Sequence, residues 1–313
     1  MNLENVRVLV TGGAGFIGSH IVEELVAQNA DVVVLDNFIN GKMDNLKEIS
    51  SKITVIEGDI RDGMCVLEAC KGCKAIFHEA AVGIKRCEKY PNDSIDINIR
   101  GTLNIIKGAI ANNSKLIFAS SASVYGNPIY VPMDENHPLN PITPYCVSKV
   151  SCEYLIKSFT RKGLQYVILR YFNVYGPRQP ITAYYTSVII NFIKNLLNGK
   201  PSTIFGDGSQ SLDFIYVKDV ARANLLALQK DEMSNGVFNV GSGTETTINE
   251  LYSLLAKICG KEDIKPNYMP ETNIIVKRRL ADISKISKHG FKISVSLEEG
   301  LKETVKYVKS MVL

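Results

Sequence analysis

An α/β fold is predicted: a Rossmann-type, doubly wound parallel sheet carrying a smaller, discontinuous α/β lobe. Three observations lead there. Short β-branched runs alternate with helical periodicity through the first half of the chain. A glycine-rich turn joins the first apolar run to the first amphipathic stretch. After residue 173 the alternation breaks and turn formers accumulate.

The strands expected are VRVLVTG (6–12), ADVVVLDN (30–37), ITVIEGD (53–59), KAIFHEAA (74–81), SKLIFASS (114–121) and QYVILRYFN (165–173). Amphipathic stretches such as 18–28 and 98–112 lie between them, so repeated βαβ units follow. Right-handed crossovers then place helices on both faces and a ligand crevice at the carboxyl ends of the strands. Pro144 opens a further helix over 145–162, because proline suits a first helical turn and none recurs before Pro177. Beyond it, VYGPRQP and GKPSTIFGDGSQ flank a helical segment at 184–198. LDFIYVKDVARANLLALQK and GVFNVGSG return to strand and helix signals, and the tail carries helices near 247–259 and 296–311. The division expected is a dinucleotide domain of 1–173 and 213–243, and a second lobe of 174–212 and 244–313.

Composition narrows the class. With 313 residues, 45% apolar and 22% charged, the chain suits a soluble protein with a large core. No run approaches the 18–20 apolar residues of a membrane span, and MNLENVRVLV lacks the regions of a signal peptide. An odd seven cysteines suggests reduced thiols and a cytoplasmic protein. Residues 261–313 hold 11 Lys+Arg against 7 Asp+Glu, which is the whole net charge of +4. No basic stripe with interleaved aromatics appears, so nucleic acid is not expected; a small anionic substrate is. CKGC (70–73) has metal-like spacing without a second pair, and the four histidines show no ligand spacing, so no metal is expected.

The turn VLVTGGAGFIGSH carries Gly12, Gly13, Gly15 and Gly18. Glycine there allows a tight turn, close approach to a pyrophosphate and close helix–strand packing. The following helix offers free N–H groups and the positive end of its dipole to the phosphates. Asp36 ends the second strand, 18 residues beyond Gly18. A carboxylate there accepts from both adenosine-ribose hydroxyls and repels a 2′-phosphate, which favours NAD over NADP. Asp59 and Ile60 of EGDIRD mark where an adenine would lodge.

Ser121 and Ser123 in FASSASVYG follow a strand aimed at the same crevice, and Tyr145 and Lys149 of YCVSK share a helix face one turn apart. In that order, behind the glycine turn, these residues closely resemble the extended short-chain dehydrogenase/reductase family, and within it the NAD-dependent nucleotide-sugar 4-epimerases and their dehydratase relatives. The resemblance spans the chain through TGGAGFIGSH, LDNF, GDIRD, HEAA, SSASVYG, YCVSK, RYFNVYGPR, FGDGSQSLDFIYVKDVA, FNVGSG and LADISK.

The resemblance implies a UDP-hexose substrate, glucose/galactose or the matching hexuronate, epimerised at C4 through a 4-keto sugar. It implies catalysis by Ser121, Tyr145 and Lys149, with NAD also meeting Phe16, Ile17, Asn37, Ala80 and Ala81. A free phenol has a pKa of about 10, so acting as a base near pH 7 asks about 4 kcal/mol of Lys149 and the nicotinamide cation. Related 4,6-dehydratases carry an Asp-Glu pair, and uronate decarboxylases a glutamate, where Ala122 and Ser123 stand here. Plain epimerisation is therefore favoured over dehydration, decarboxylation or non-catalytic NAD sensing. Glu79 occupies a position usually apolar in the family and is read as structural. Ser123, Asn173, Arg178, Arg278 and Arg279 are the substrate candidates. Two departures stand out: Leu212 replaces a diphosphate-clamping arginine, and ETNI (271–274) replaces R-P-G-D, leaving Lys277, Arg278 and Arg279 as the nearest cations. Arg279, two residues before Ala281, would disfavour a bulky N-acetyl group and suit a C6 carboxylate. The family also commonly forms homodimers through a four-helix bundle, here from 98–112 and 145–162.

Overall fold

The computed structural model describes residues 3–181, 187–271 and 277–312. The β-branched runs form strands β1 (Arg7–Thr11), β2 (Asp31–Asp36), β3 (Ile53–Glu57), β4 (Ala75–His78), β5 (Lys115–Ser121) and β6 (Tyr166–Tyr171). Shorter strands follow: β7 (Asn173–Tyr175), β8 (Thr203–Phe205), β9 (Ser211–Leu212), β10 (Phe214–Tyr216) and β11 (Gly236–Val240). One seven-stranded sheet has the order β11-β6-β5-β4-β1-β2-β3, and every pairing in it is parallel. The chain winds outward from β1 through β2 to β3, then crosses back to β4 on β1's other side. The switch point therefore lies between β1 and β4, where a ligand crevice is expected.

The helices are α1 (Phe16–Ala27), α2 (Gly63–Ala69), α3 (Ile84–Lys89), the single turn α4 (Pro91–Asp93), α5 (Gly101–Ala111), α6 (Pro144–Ser158), α7 (Val188–Leu197), α8 (Val217–Gln229), α9 (Ile248–Cys259), α10 (Ser284–Ser287) and α11 (Leu297–Val312). Because the sheet is covered on both faces, its strands are apolar throughout rather than alternating. Val8, Val10, Phe77 and Leu169 pack toward α1 and α8, while Leu9, Ile76, Phe118 and Ile168 pack toward α2, α5 and α6. A separate apolar cluster joins α7, α9 and α11 through Phe192, Leu251, Leu255 and Leu301.

The element ends differ from the sequence reading in informative ways. β4 stops at His78, three residues short of the stretch 74–81, so Glu79, Ala80 and Ala81 turn into the crevice. The stretch 165–173 divides at Phe172, and Asn173–Tyr175 pairs with β10 outside the main sheet. The helix expected over 98–112 begins as a π-helical stretch, Ser94–Arg100, before α5. α6 ends at Ser158 and tightens into a 3₁₀ turn, Phe159–Lys162, closed by Gly163 at φ +84°. Residues 184–186 of the segment 184–198 lie outside the described residues. All seven cysteines are free thiols. Cys70 and Cys73 of CKGC are buried, and burial pushes their thiols up to about 12 and about 11. Among the described residues, no helix is long and apolar enough to cross a membrane.

Candidate active site

A cleft of about 440 Å³ opens at the carboxyl ends of β1, β2 and β4. Its floor is the glycine turn. Gly12 has φ +66°, and a Cβ there would lie 2.8 Å from the Ala80 nitrogen. A Cβ on Gly18 would collide with the Gly12 carbonyl oxygen, so the first turn of α1 sits directly on the β1 loop. Gly15 is the N-cap of α1 and supplies no side-chain cap, which leaves the helix's first N–H groups open toward the cleft. That cradle fits a pyrophosphate.

Asp36 closes the cleft at β2 and is 7% exposed. Its carboxylate accepts from the backbone nitrogens of Ala14, at 3.0 Å, and Phe38, at 2.8 Å. Burial pushes its pKa up, against those two hydrogen bonds. The expected contacts Gly12, Gly15, Phe16, Ile17, Gly18, Asp36, Asn37, Ile60, Ala80, Ala81 and Tyr145 all line the cleft. Gly13 does not; a Cβ there would meet the Val34 side chain at 2.9 Å, which assigns it to packing. Asp59 is also off the wall. Arg61 takes it bidentately at 2.8 and 3.0 Å and Asn37 donates to it at 3.0 Å. The Arg61 hydrogen bonds hold its carboxyl down at about 2, so it acts as a strut and Gly58 takes its place beside Ile60.

Tyr145 lines the cleft, and Ser121, Ser123 and Lys149 stand behind it, off the cleft wall. Ser123 Oγ donates to Ser121 Oγ at 2.9 Å, and Ser121 in turn acts on the Tyr145 phenol, favouring its ionised form. Ser121 ends β5; Thr143 caps α6 by accepting from the Cys146 nitrogen, and Pro144 fills the first turn, which fixes Tyr145 opposite. Lys149, one turn on, is 4% exposed. Its ammonium donates to the Ala119 carbonyl at 2.7 Å and lies 5.8 Å from the Tyr145 ring centroid. The expectation assigns the lowering of the phenol to Lys149 and the nicotinamide cation acting together. Burial pushes the Tyr145 phenol up, and the Ser121 hydrogen bond is the interaction that opposes it. Lys149 is itself desolvated, which pulls its own pKa down, and its ammonium is engaged by a carbonyl.

The substrate candidates scatter. Asn173 is half-buried and donates to the Asp213 carbonyl at 2.9 Å. Arg178, at φ +66°, is engaged by Glu23 of α1. Arg278 forks onto Glu245 at 2.6 and 2.7 Å on the surface, which argues against a diphosphate clamp. Arg279 instead reaches the Gly126 carbonyl at 3.3 Å, beside the turn that holds Ser121. Residues 272–274 of ETNI lie outside the described residues.

Glu79, read from the sequence as structural, accepts from the Tyr171 hydroxyl and also lines the cleft with Ala80 and Tyr145, and burial raises its carboxyl to about 7. A second feature the sequence hid is the buried pair Glu153–Arg170, with oxygen–nitrogen distances of 2.9 and 2.7 Å. Ser120 donates to the same carboxylate at 2.6 Å, which ties the end of β5 to α6.

Comparison with known proteins agrees with this geometry. A family model described as the NAD dependent epimerase/dehydratase family matches residues 8–241. The structure of a UDP-N-acetylglucosamine 4-epimerase from Methanobrevibacter ruminantium, in complex with UDP-N-acetylmuramic acid, is 40% identical. It superposes with a TM-score of 0.94 over 99% of this chain and 100% of its own. A UDP-glucose 4-epimerase from Thermotoga maritima, solved with UDP-glucose, is 38% identical with a TM-score of 0.91, over 98% and 100% of the two chains. A UDP-glucuronic acid 4-epimerase from Bacillus cereus, solved with UDP-glucuronic acid and NAD, is 32% identical with a TM-score of 0.89, over 98% and 100%.

Proposed function

The chain belongs to the NAD dependent epimerase/dehydratase family, and from that premise we propose that it inverts C4 of a UDP-hexose through a 4-keto sugar. The hexose is glucose/galactose or the corresponding hexuronate. The observation that carries the reading is the grouping of the Ser121–Ser123 hydroxyl pair with Tyr145, the last of which lines a dinucleotide cradle. Bound NAD supplies a hydride acceptor that returns what it takes, so the reaction has no net redox change. Tyr145 takes the proton of the sugar 4-hydroxyl and later gives it back. Ser121 holds the same oxygen, and Ser123 orients Ser121. Gly12, Gly15 and Gly18 seat the pyrophosphate, Asp36 the adenosine ribose, and Lys149 the nicotinamide ribose.

Ala122 is 2% exposed, and with Ser123 it offers no acid after Ser121. That favours epimerisation over loss of water or CO₂. The sugar nucleotide is placed between the sheet edge, built from 1–173 and 213–243, and a lobe of 174–212 and 244–313. Arg279, beside Gly126, faces the sugar end and suits a C6 carboxylate. Incubation with UDP-hexoses, UDP-N-acetylhexosamines and UDP-hexuronates, analysed for C4 configuration and mass, tests this. Interconversion at constant mass is expected. A product lighter by water or CO₂ would sink the reading.

The seven free thiols suit a reducing, cytoplasmic setting. We place a homodimer interface on α5, α6 and the preceding π-helical stretch. Val147 and Tyr154, seven residues apart on α6, are 48% and 60% exposed, and Ile95 is 54% exposed. Sedimentation is expected to give twice the chain mass, and Val147→Glu with Tyr154→Glu to give the monomer. A monomeric parent chain refutes the interface.

A further inference from the structure

The strand order lays the cofactor across the sheet. Asp36 ends β2, the glycine turn follows β1, Glu79 follows β4, Ser121 ends β5 and Tyr171 ends β6, in that spatial sequence. A dinucleotide with its ribose at Asp36 and its pyrophosphate on Gly12–Gly18 would run toward β4 and β5, so Glu79 and Tyr145 are the residues that would meet its nicotinamide end. Glu79 forms part of that wall and acts electrostatically on both Tyr145 and Lys149.

The carboxylate is held in place from below. Tyr171 Oη donates to Glu79 Oε1 at 2.8 Å. Asn224 of α8, fully buried, donates its amide to Tyr171 Oη at 2.8 Å and to the Val220 carbonyl at 2.9 Å. The Tyr171 hydroxyl also lies 3.1 Å from Asn224 Oδ1, and the shorter contact, at 2.8 Å, is the one to Glu79. The second carboxylate oxygen is left for the cleft. The groups facing Glu79 are thus Tyr171 from β6, Asn224 behind it on α8, and Tyr145 and Lys149 from α6; Lys149 is the one cation among them.

We propose that Glu79 selects the charge state of the nicotinamide: its carboxylate, fixed by Tyr171 in the cleft wall, favours the oxidised, cationic ring over the reduced, neutral one. The inference rests on the dinucleotide reading above. Its consequence for the proposed reaction is direct. A wall that prefers the cationic ring favours return of the hydride to the 4-keto sugar, and so limits escape of the ketone. Burial sets the Glu79 carboxyl near neutrality, at about 7, where a cation overhead readily draws it into the ionised form. A carboxylate that merely accepted the Tyr171 hydrogen bond would treat both rings alike.

The test is the ratio of dissociation constants for NADH and NAD⁺, measured by calorimetry on cofactor-stripped protein at about pH 8.5, where the carboxylate is largely ionised. In Glu79→Gln the preference for NAD⁺ is expected to fall about tenfold, which raises the potential of the bound couple by about 30 mV. Glu79→Leu removes the charge without leaving a buried amide and is expected to do the same, so either folded variant decides. Tyr171→Phe keeps the charge and is expected to leave the ratio within about a factor of two. An unchanged ratio in a folded Glu79 variant, or equal weakening of both forms, overturns the selector. Failure of the parent protein to bind either form overturns the dinucleotide reading itself.

Discussion

Tyr145→Phe is expected to lower kcat by about 10²–10⁴-fold while NAD and the sugar nucleotide still bind. Phenylalanine keeps the ring that fills the end of the cleft and removes the single atom that can take a proton from the sugar. Ser121 alone is a poor substitute, because a serine hydroxyl is no base near pH 7 and here already accepts from Ser123. The magnitude follows from the burial of the phenol. Burial raises it, and the positive nicotinamide would be a cation able to oppose that rise. Bringing even an ordinary phenol from about 10 to about 7 takes about 4 kcal/mol. Lys149, one of its ammonium donors held by the Ala119 carbonyl, keeps two more for the ribose. Stopped-flow turnover and NAD titration on the same preparation separate the two effects. Retention of more than a tenth of kcat would place the base elsewhere.

That coupling between cofactor and phenol marks the limit of what sequence can carry. The glycine turn was legible because its geometry is local: Gly12 and Gly18 touch within one turn of chain. Tyr145 and Lys149 were legible because helical spacing alone puts them on one face. The direction of the Lys149 ammonium was not, because it depends on a β5 carbonyl some 30 residues away. Asp59 misled for a local reason, its capture by Arg61 two residues on, and Arg278 for a distant one, its fork onto Glu245. The place of Glu79 in the cleft wall was not legible, because its partners, Tyr171 and Asn224, come from β6 and α8 and meet it only in the closed sheet. Arg170 was hidden by composition. It sits inside the apolar run QYVILRYFN, where nothing local signals an ion pair.

Glu153→Ala should be the most damaging change away from the cleft, costing about 3–5 kcal/mol. Glu153 has no exposed surface and Arg170 is 2% exposed, so truncation strands a buried guanidinium. What remains to Arg170 is the Tyr125 hydroxyl at 2.9 Å and the Glu135 carbonyl at 3.2 Å, neither of them charged. The melting temperature is expected to fall by about 5–10 °C. Catalysis should suffer separately. Ser120, next to Ser121, donates to the lost carboxylate, and Tyr125 ends the turn that presents Ser121. A fold that survives at low temperature is expected to lose about tenfold in kcat as Ser121 drifts from Tyr145. The double variant Glu153→Leu, Arg170→Met distinguishes the two roles. Apolar replacement of a whole buried pair is often neutral, so stability should return. The Ser120 anchor does not return with it, and kcat should stay low. Recovery of both together would mean that the pair serves stability alone and that Ser121 is held by its own backbone.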